Sequence, residues 1–140
     1  MKAIKKKYLF NLYTYYWIFK LGLNKYLITV NFDKRYDACA ITEKISNIEY
    51  NITYNLNNHG SESSIISTVL HELGHLLHPW TGCPIKHEEY AELFSLETIK
   101  SEYPLYYRIS INRLKKSIKE IKSPTHIQAY KNILKKLKEI

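Results

Sequence analysis

The sequence predicts an α+β fold. It should hold a small antiparallel or mixed sheet of about three strands, a central apolar helix carrying polar residues, and a C-terminal helical hairpin. Three observations predict it. Ile65, Ile66, Val69, Leu70, Leu73, Leu76 and Leu77 form one largely apolar helical run that also holds His71, Glu72 and His75. Segments 26–32, 37–42 and 48–56, which precede that run, carry strand patterns. After residue 104, apolar residues recur at helical spacing among lysines.

At the start, Lys2, Lys5, Lys6 and Lys7 precede the apolar, aromatic run 8–19. A basic start and apolar centre resemble an export signal. This run, however, lacks a small-residue cleavage site and is interrupted by Asn11 and Thr14, with Lys20 closing it. It is also too short to span a hydrocarbon core of about 30 Å. The expectation is a helix packed on the sheet of a cytoplasmic protein without a transmembrane segment, docking at a membrane surface being a minor alternative.

Three strand candidates follow. Segment 26–32 is rich in β-branched and aromatic residues, and 37–42 is a weaker second. Segment 48–56 alternates apolar and polar residues as a half-buried strand should, and Asn57-Asn58-His59-Gly60 breaks the chain after it. A strand just before the central helix suggests a free edge on which an extended peptide could pair.

The central helix carries the chemistry. His71 and His75 are four residues apart, about 40° around a helix and one turn along it, so both imidazoles can reach one ion. Glu72 projects beside them, where a carboxylate can act as general base. This H-E-x-x-H arrangement binds Zn²⁺. Ser61, Ser63 or Ser64 is expected to cap the helix start, and Pro79 to end it. His78 lies on the same side but about 10 Å along the axis from His71, which makes it a pocket residue rather than a ligand. Position 81 is Thr, so a third histidine of the metzincin type is excluded.

Two histidines leave a catalytic zinc site one protein ligand short. After the turn 79–84, Glu88, Ala91, Glu92 and Ser95 share one helical face, two carboxylates with two small residues that permit close helix approach. Glu88 is the expected third ligand, and Glu92 is expected to steady a ligand imidazole from outside the ligand sphere. His87 and Glu89 are alternatives, and an exchange of roles between Glu88 and Glu92 stays open.

His71-Glu72-Leu73-Gly74-His75-Leu76-Leu77-His78, followed by Glu88-x-x-Ala91-Glu92-x-Phe94, resembles the ImmA/IrrE type of gluzincin metallopeptidase. The resemblance covers roughly residues 61–96. It implies a compact zincin-like fold, His71, His75 and Glu88 as ligands, and Glu72 as catalytic base. It also implies a place in phages or mobile elements, with a DNA-binding repressor as substrate. Glu92 stands where that family usually has Asn, and Ser95 where it has Ala. A short phage-type metallopeptidase or a SprT-like protein shares much of the same core.

Composition bounds the rest. A chain of 140 residues with 45% apolar content can bury its own core, which excludes a disordered protein. Cys39 and Cys83 give no disulfide framework and are expected as small buried residues. The net charge of +8 arises after residue 103. Residues 1–103 hold eleven Lys/Arg and eleven Asp/Glu, whereas 104–140 hold ten Lys/Arg against Glu120 and Glu139. The division expected is a metallopeptidase core at 1–103 and a basic amphipathic helical extension at 104–140, packed on the same domain. That extension is either a solvated helix face or a contact for nucleic acid, an anionic surface or an acidic partner. Its expected stripes are Leu105, Ile109, Leu114, Ile118 and Ile121, then Ile127, Tyr130, Leu134 and Leu137, with Ser123-Pro124 starting the second helix.

The function expected is zinc-dependent hydrolysis of a peptide bond in a specific protein, with Glu72 moving the proton and His78, His59 or a tyrosine as oxyanion donor. The alternative is a zinc-stabilised, non-catalytic interaction module whose basic C-terminal helices bind nucleic acid or a partner protein. An intact Glu72 counts against it, because a structural zinc site needs no base.

Overall fold

The computed structural model describes residues 1–34, 38–78 and 80–139. Among them the elements run α1 (Ala3–Lys20), β1 (Leu27–Asp33), β2 (Ala40–Lys44), β3 (Glu49–Asn55), α2 (Glu62–Leu77), α3 (Pro84–Glu102), α4 (Pro104–Glu120) and α5 (Pro124–Lys136), with a short 3-10 turn at Leu23–Lys25. The class is α+β, as expected. Asp37, the expected start of the second strand, and Pro79, the expected end of the central helix, lie outside the described residues. The chain forms two compact units, Met1–Leu73 and Gly74–Ile140, and the division falls inside the continuous helix α2. The change in net charge after residue 103 does not coincide with it: α4 and α5 belong to the same unit as α3.

In the first unit the sheet is mixed, with strand order β1-β3-β2. β3 runs parallel to β1, from Leu27 opposite Glu49 to Asp33 opposite Asn55. It runs antiparallel to β2, from Ala40 opposite Tyr54 to Lys44 opposite Tyr50. This corrects the expectation of a free edge on 48–56. β3 is paired on both sides, and the edges belong to β1 and β2. Burial agrees, since Ile52, Thr53, Tyr54 and Asn55 are all buried in a strand flanked by two others.

Helix α1 packs on this sheet, as expected. Phe10 stacks on Tyr54 with ring centroids 4.2 Å apart and meets Phe32 at 6.1 Å. Burying one such ring contributes roughly 2–3 kcal/mol. The Thr14 and Tyr54 hydroxyls are 2.8 Å apart and satisfy one another inside this apolar contact. At the start of α2, Ser61 is the residue that caps, its Oγ accepting the Ser64 N–H at 3.3 Å. Ile65, Ile66, Val69, Leu70 and Leu73 then bury one face of the helix.

In the second unit, α3 opens with Pro84 at its first turn, where a missing N–H costs nothing. It runs well beyond the expected stretch 88–95. The last turn of α2 meets it closely. A Cβ on Gly74 would stand 3.0 Å from Ala91 Cα and 3.2 Å from the Phe94 ring. The small residues foreseen on α3 therefore do permit close approach. Leu96, Ile111, Leu114, Ile133 and Leu134 form the buried cluster of α3, α4 and α5, with Tyr107, Ile118 and Tyr130 packed against it. The stripe expected on α4 is corrected here. Leu105 is 89% exposed and Ile109 49%, whereas Tyr107, Ile111, Leu114 and Ile118 keep a constant helical register and face inward.

A polar clamp ties α3 to α5. Asn132 Nδ2 and Lys136 Nζ donate to the two oxygens of Glu89 at 2.6 and 2.9 Å. Burial opposes the Glu89 carboxylate, but these two hydrogen bonds and the lysine charges hold its pKa below the ordinary value. Ser123 caps α5 by accepting the His126 N–H at 3.4 Å. The cysteine expectation fails for Cys39, which is exposed; Cys83 is half-buried, and neither is in a disulfide.

Candidate metal centre

Helix α2 brings His71, Glu72 and His75 together, as the four-residue spacing predicts. One ligand atom from each lies within 4.8 Å of those of the other two, close enough for a single ion to hold them. The histidines are half-buried and Glu72 is buried, at 6% exposure. A buried carboxylate needs a partner. Glu72 has one in Thr42, whose hydroxyl donates to Glu72 Oε2 from the edge strand β2.

Within the second unit, His75 Nε2 lies 3.2 Å from Glu88 Oε1. Ligand atoms about 2.0–2.1 Å from a tetrahedral zinc stand about 3.3 Å from one another. The 3.2 Å separation fits two donors on one ion and equally an ordinary imidazole–carboxylate contact. The other carboxylate oxygen of Glu88 faces His126 Nε2 at 3.4 Å. His126 Nδ1 in turn lies 2.8 Å from Ser123 Oγ. Ser123 Oγ thus meets both the ring and the backbone N–H of His126.

The alternatives sit around this core. The His87 ring is 4.4 Å from that of His75 and 5.2 Å from Trp80. Burial first, then the neighbouring His75, lower the His87 pKa, which favours the neutral imidazole. Glu89 is committed to Asn132 and Lys136. Glu92 is buried on α3, one turn beyond Glu88. His78 stacks on Tyr90 at 5.0 Å.

Of the oxyanion candidates, His59 is a buried structural residue. Its Nδ1 meets Ser64 Oγ at 3.0 Å and its Nε2 the Cys39 carbonyl at 3.2 Å. Tyr107 packs into the helical core, and Tyr103 stacks on Tyr106.

Two contributors escaped the sequence reading. Thr42 gave no signal beyond its place in a weak strand. His126 was passed over because 104–140 read as packing and charge; its position inside a Ser-Pro helix cap says nothing of Glu88. No family model, curated protein or solved structure matched the chain.

Proposed function

We propose that the chain is a zinc-dependent metallopeptidase of the zincin-like type, similar to the ImmA/IrrE proteins, that cuts a specific protein such as a DNA-binding repressor. One observation carries this reading: His71, Glu72 and His75 converge on one helix with Glu72 buried beside the two imidazoles. His71, His75 and Glu88 would hold the ion. The 3.2 Å between His75 Nε2 and Glu88 Oε1 supports Glu88 over Glu89, which is engaged elsewhere. A zinc ion there would supply Lewis acidity and make water easier to deprotonate.

The chain's own groups do the rest. Glu72 takes the proton of the attacking water and returns it to the leaving amine. Thr42 fixes the Glu72 carboxylate through its second oxygen, so the other faces the reaction. β2 carries Thr42 and, among the described residues, pairs with β3 on one side only. An extended peptide added to its other side would be held in line with Glu72 by main-chain hydrogen bonds. His126 Nε2 stands 3.4 Å from the other oxygen of Glu88, on the side away from His75.

The test is metal content. Purified protein should hold about one zinc per chain, and His71→Ala and His75→Ala should each lose it. Glu88→Ala should weaken binding more than Glu92→Ala or Glu89→Ala. Unchanged zinc in both histidine variants would remove the site.

A further inference from the structure

Helix α1 is apolar on two sides. One side, with Leu9, Phe10, Trp17 and Ile18, is buried in the first unit. The other carries Ile4, Tyr8, Leu12, Tyr15 and Phe19, which recur every three or four residues and so make one stripe. This stripe faces water: Ile4 is 78% exposed, Tyr8 64% and Phe19 76%. The water side of a packed helix is normally polar, and a contiguous apolar surface there marks a place of interaction.

Charge selects the occupant. Residues 1–32 contain Lys2, Lys5, Lys6, Lys7, Lys20 and Lys25 and no Asp or Glu. Three are engaged internally, Lys6 Nζ donating to the Leu56 carbonyl at 2.6 Å, Lys7 Nζ lying 5.8 Å over the Phe32 ring and Lys25 Nζ 5.3 Å over the Tyr26 ring. Lys2, Lys5 and Lys20 are exposed beside the stripe. Pairing the stripe with a second copy of itself would set lysines against lysines with no carboxylate between them. An anionic bilayer surface complements both features at once. Its headgroups take the ammonium ions, its acyl boundary takes Ile4, Leu12 and Phe19, and tyrosines sit well at that depth. The helix has 18 residues, about 27 Å of length to lie along the surface. No described helix is long and apolar enough to cross the membrane.

We propose that α1 is an interfacial helix that docks this chain on anionic phospholipid, with its aromatic stripe inserted and Lys2, Lys5 and Lys20 among the headgroups. The docking stands apart from the metal centre and does not depend on the peptidase reading.

The test is flotation of the full chain with vesicles of phosphatidylcholine alone or mixed with phosphatidylglycerol. The protein should float with the mixed vesicles only, and less as salt rises from about 0.1 to about 0.5 M. Leu12→Gln with Phe19→Ser should keep the wild-type circular dichroism and thermal melt, because both side chains are exposed, yet weaken binding at least about tenfold. Lys2→Gln, Lys5→Gln and Lys20→Gln combined should weaken it comparably. The proposal is overturned by an absence of flotation. Undiminished flotation of the Leu12/Phe19 variant also overturns it, since the basic residues 104–140 would then carry the binding. So does a dimer in light scattering that the same variant dissociates, which would give the stripe to a second copy.

Discussion

His126 Nε2 stands 3.4 Å from Glu88 Oε2, while the opposite oxygen of the same carboxylate stands 3.2 Å from His75 Nε2. One carboxylate is therefore held between a helix that carries the H-E-x-x-H motif and a helix near the end of the chain. An imidazole beside the outer oxygen narrows the positions that the carboxylate can take before its inner oxygen binds a cation. His126→Ala should lower zinc affinity by about 10–100-fold. His126→Gln, whose amide N–H can occupy the Nε2 position, should restore much of it. A purely structural role for His126 would instead lower thermal stability in both variants and leave zinc affinity alone. A chelator-competition titration reads the difference.

Gly74 is the point at which the last turn of α2 touches α3. Alanine there would gain about 1 kcal/mol of helix propensity. Its Cβ, however, would meet Ala91 backbone atoms at 3.0 and 3.1 Å, and crowding of that kind costs about 1–3 kcal/mol. Backbone cannot swing aside as a side chain can, so α3 must shift by a few tenths of an ångström. Glu88, one turn before Ala91, shifts with it. Gly74→Ala should thus leave Tm unchanged or lower, despite the better helix former, and weaken zinc binding several-fold. A variant that gains both stability and zinc affinity would show that the close approach does not position Glu88.

These two contacts also mark how far the sequence was legible. Local pattern sufficed for the helix of the H-E-x-x-H motif, the strand alternation of β3 and the cap at Ser123, and it narrowed the cap of α2 to Ser61, Ser63 or Ser64, because each depends on neighbours three or four residues away. The Gly74–Ala91 approach was half legible, since small residues on one face of α3 announced a close neighbour. Strand order was not. An edge strand and a central strand alternate alike, and only the pairing of Leu27 with Glu49 and of Ala40 with Tyr54 makes β3 central. The α4 stripe was right at Leu114 and Ile118 and wrong in its first half, because Tyr107 acts as a core residue through its ring, whereas Leu105 and Ile109 are exposed. His126 and Glu88 meet through the packing of α3 on α5, which no local pattern encodes.

Tyr54 makes alkaline pH a probe of the first unit. Burial drives its hydroxyl far above the ordinary tyrosine range, and the Thr14 hydrogen bond offsets only part of this. In the unfolded chain Tyr54 ionises near pH 10, at about its reference value. The folded form stays neutral there, so the unfolded state binds fewer protons. The stabilisation is full below about pH 10 and falls above it, by up to about 1.4 kcal/mol per pH unit. Tyr54→Phe keeps the stack on Phe10 and loses the Thr14 bond, at a cost of about 1 kcal/mol. It should be less stable at neutral pH but decline less steeply above about pH 10. Urea midpoints followed across that range decide the matter, and parallel declines would mean that Tyr54 is not shielded.

The variant that separates an enzyme from a binding module is Glu72→Gln. Glutamine keeps the size of the side chain and can still accept the Thr42 hydroxyl, so the buried site should stay packed. It cannot take a proton from water at neutral pH. Zinc content and Tm should therefore remain close to wild type. Cleavage of the natural protein partner should fall by at least about 10²-fold, the contribution typical of a positioned general base. The readout has to be that partner, first a repressor-like protein encoded nearby, because a narrow cleft can ignore generic peptides. A zinc-stabilised interaction module predicts the opposite pair of results: partner binding unchanged by Glu72→Gln, and no cleavage by either protein. Equal cutting of the partner by both proteins would remove Glu72 as the base, and with it the peptidase mechanism.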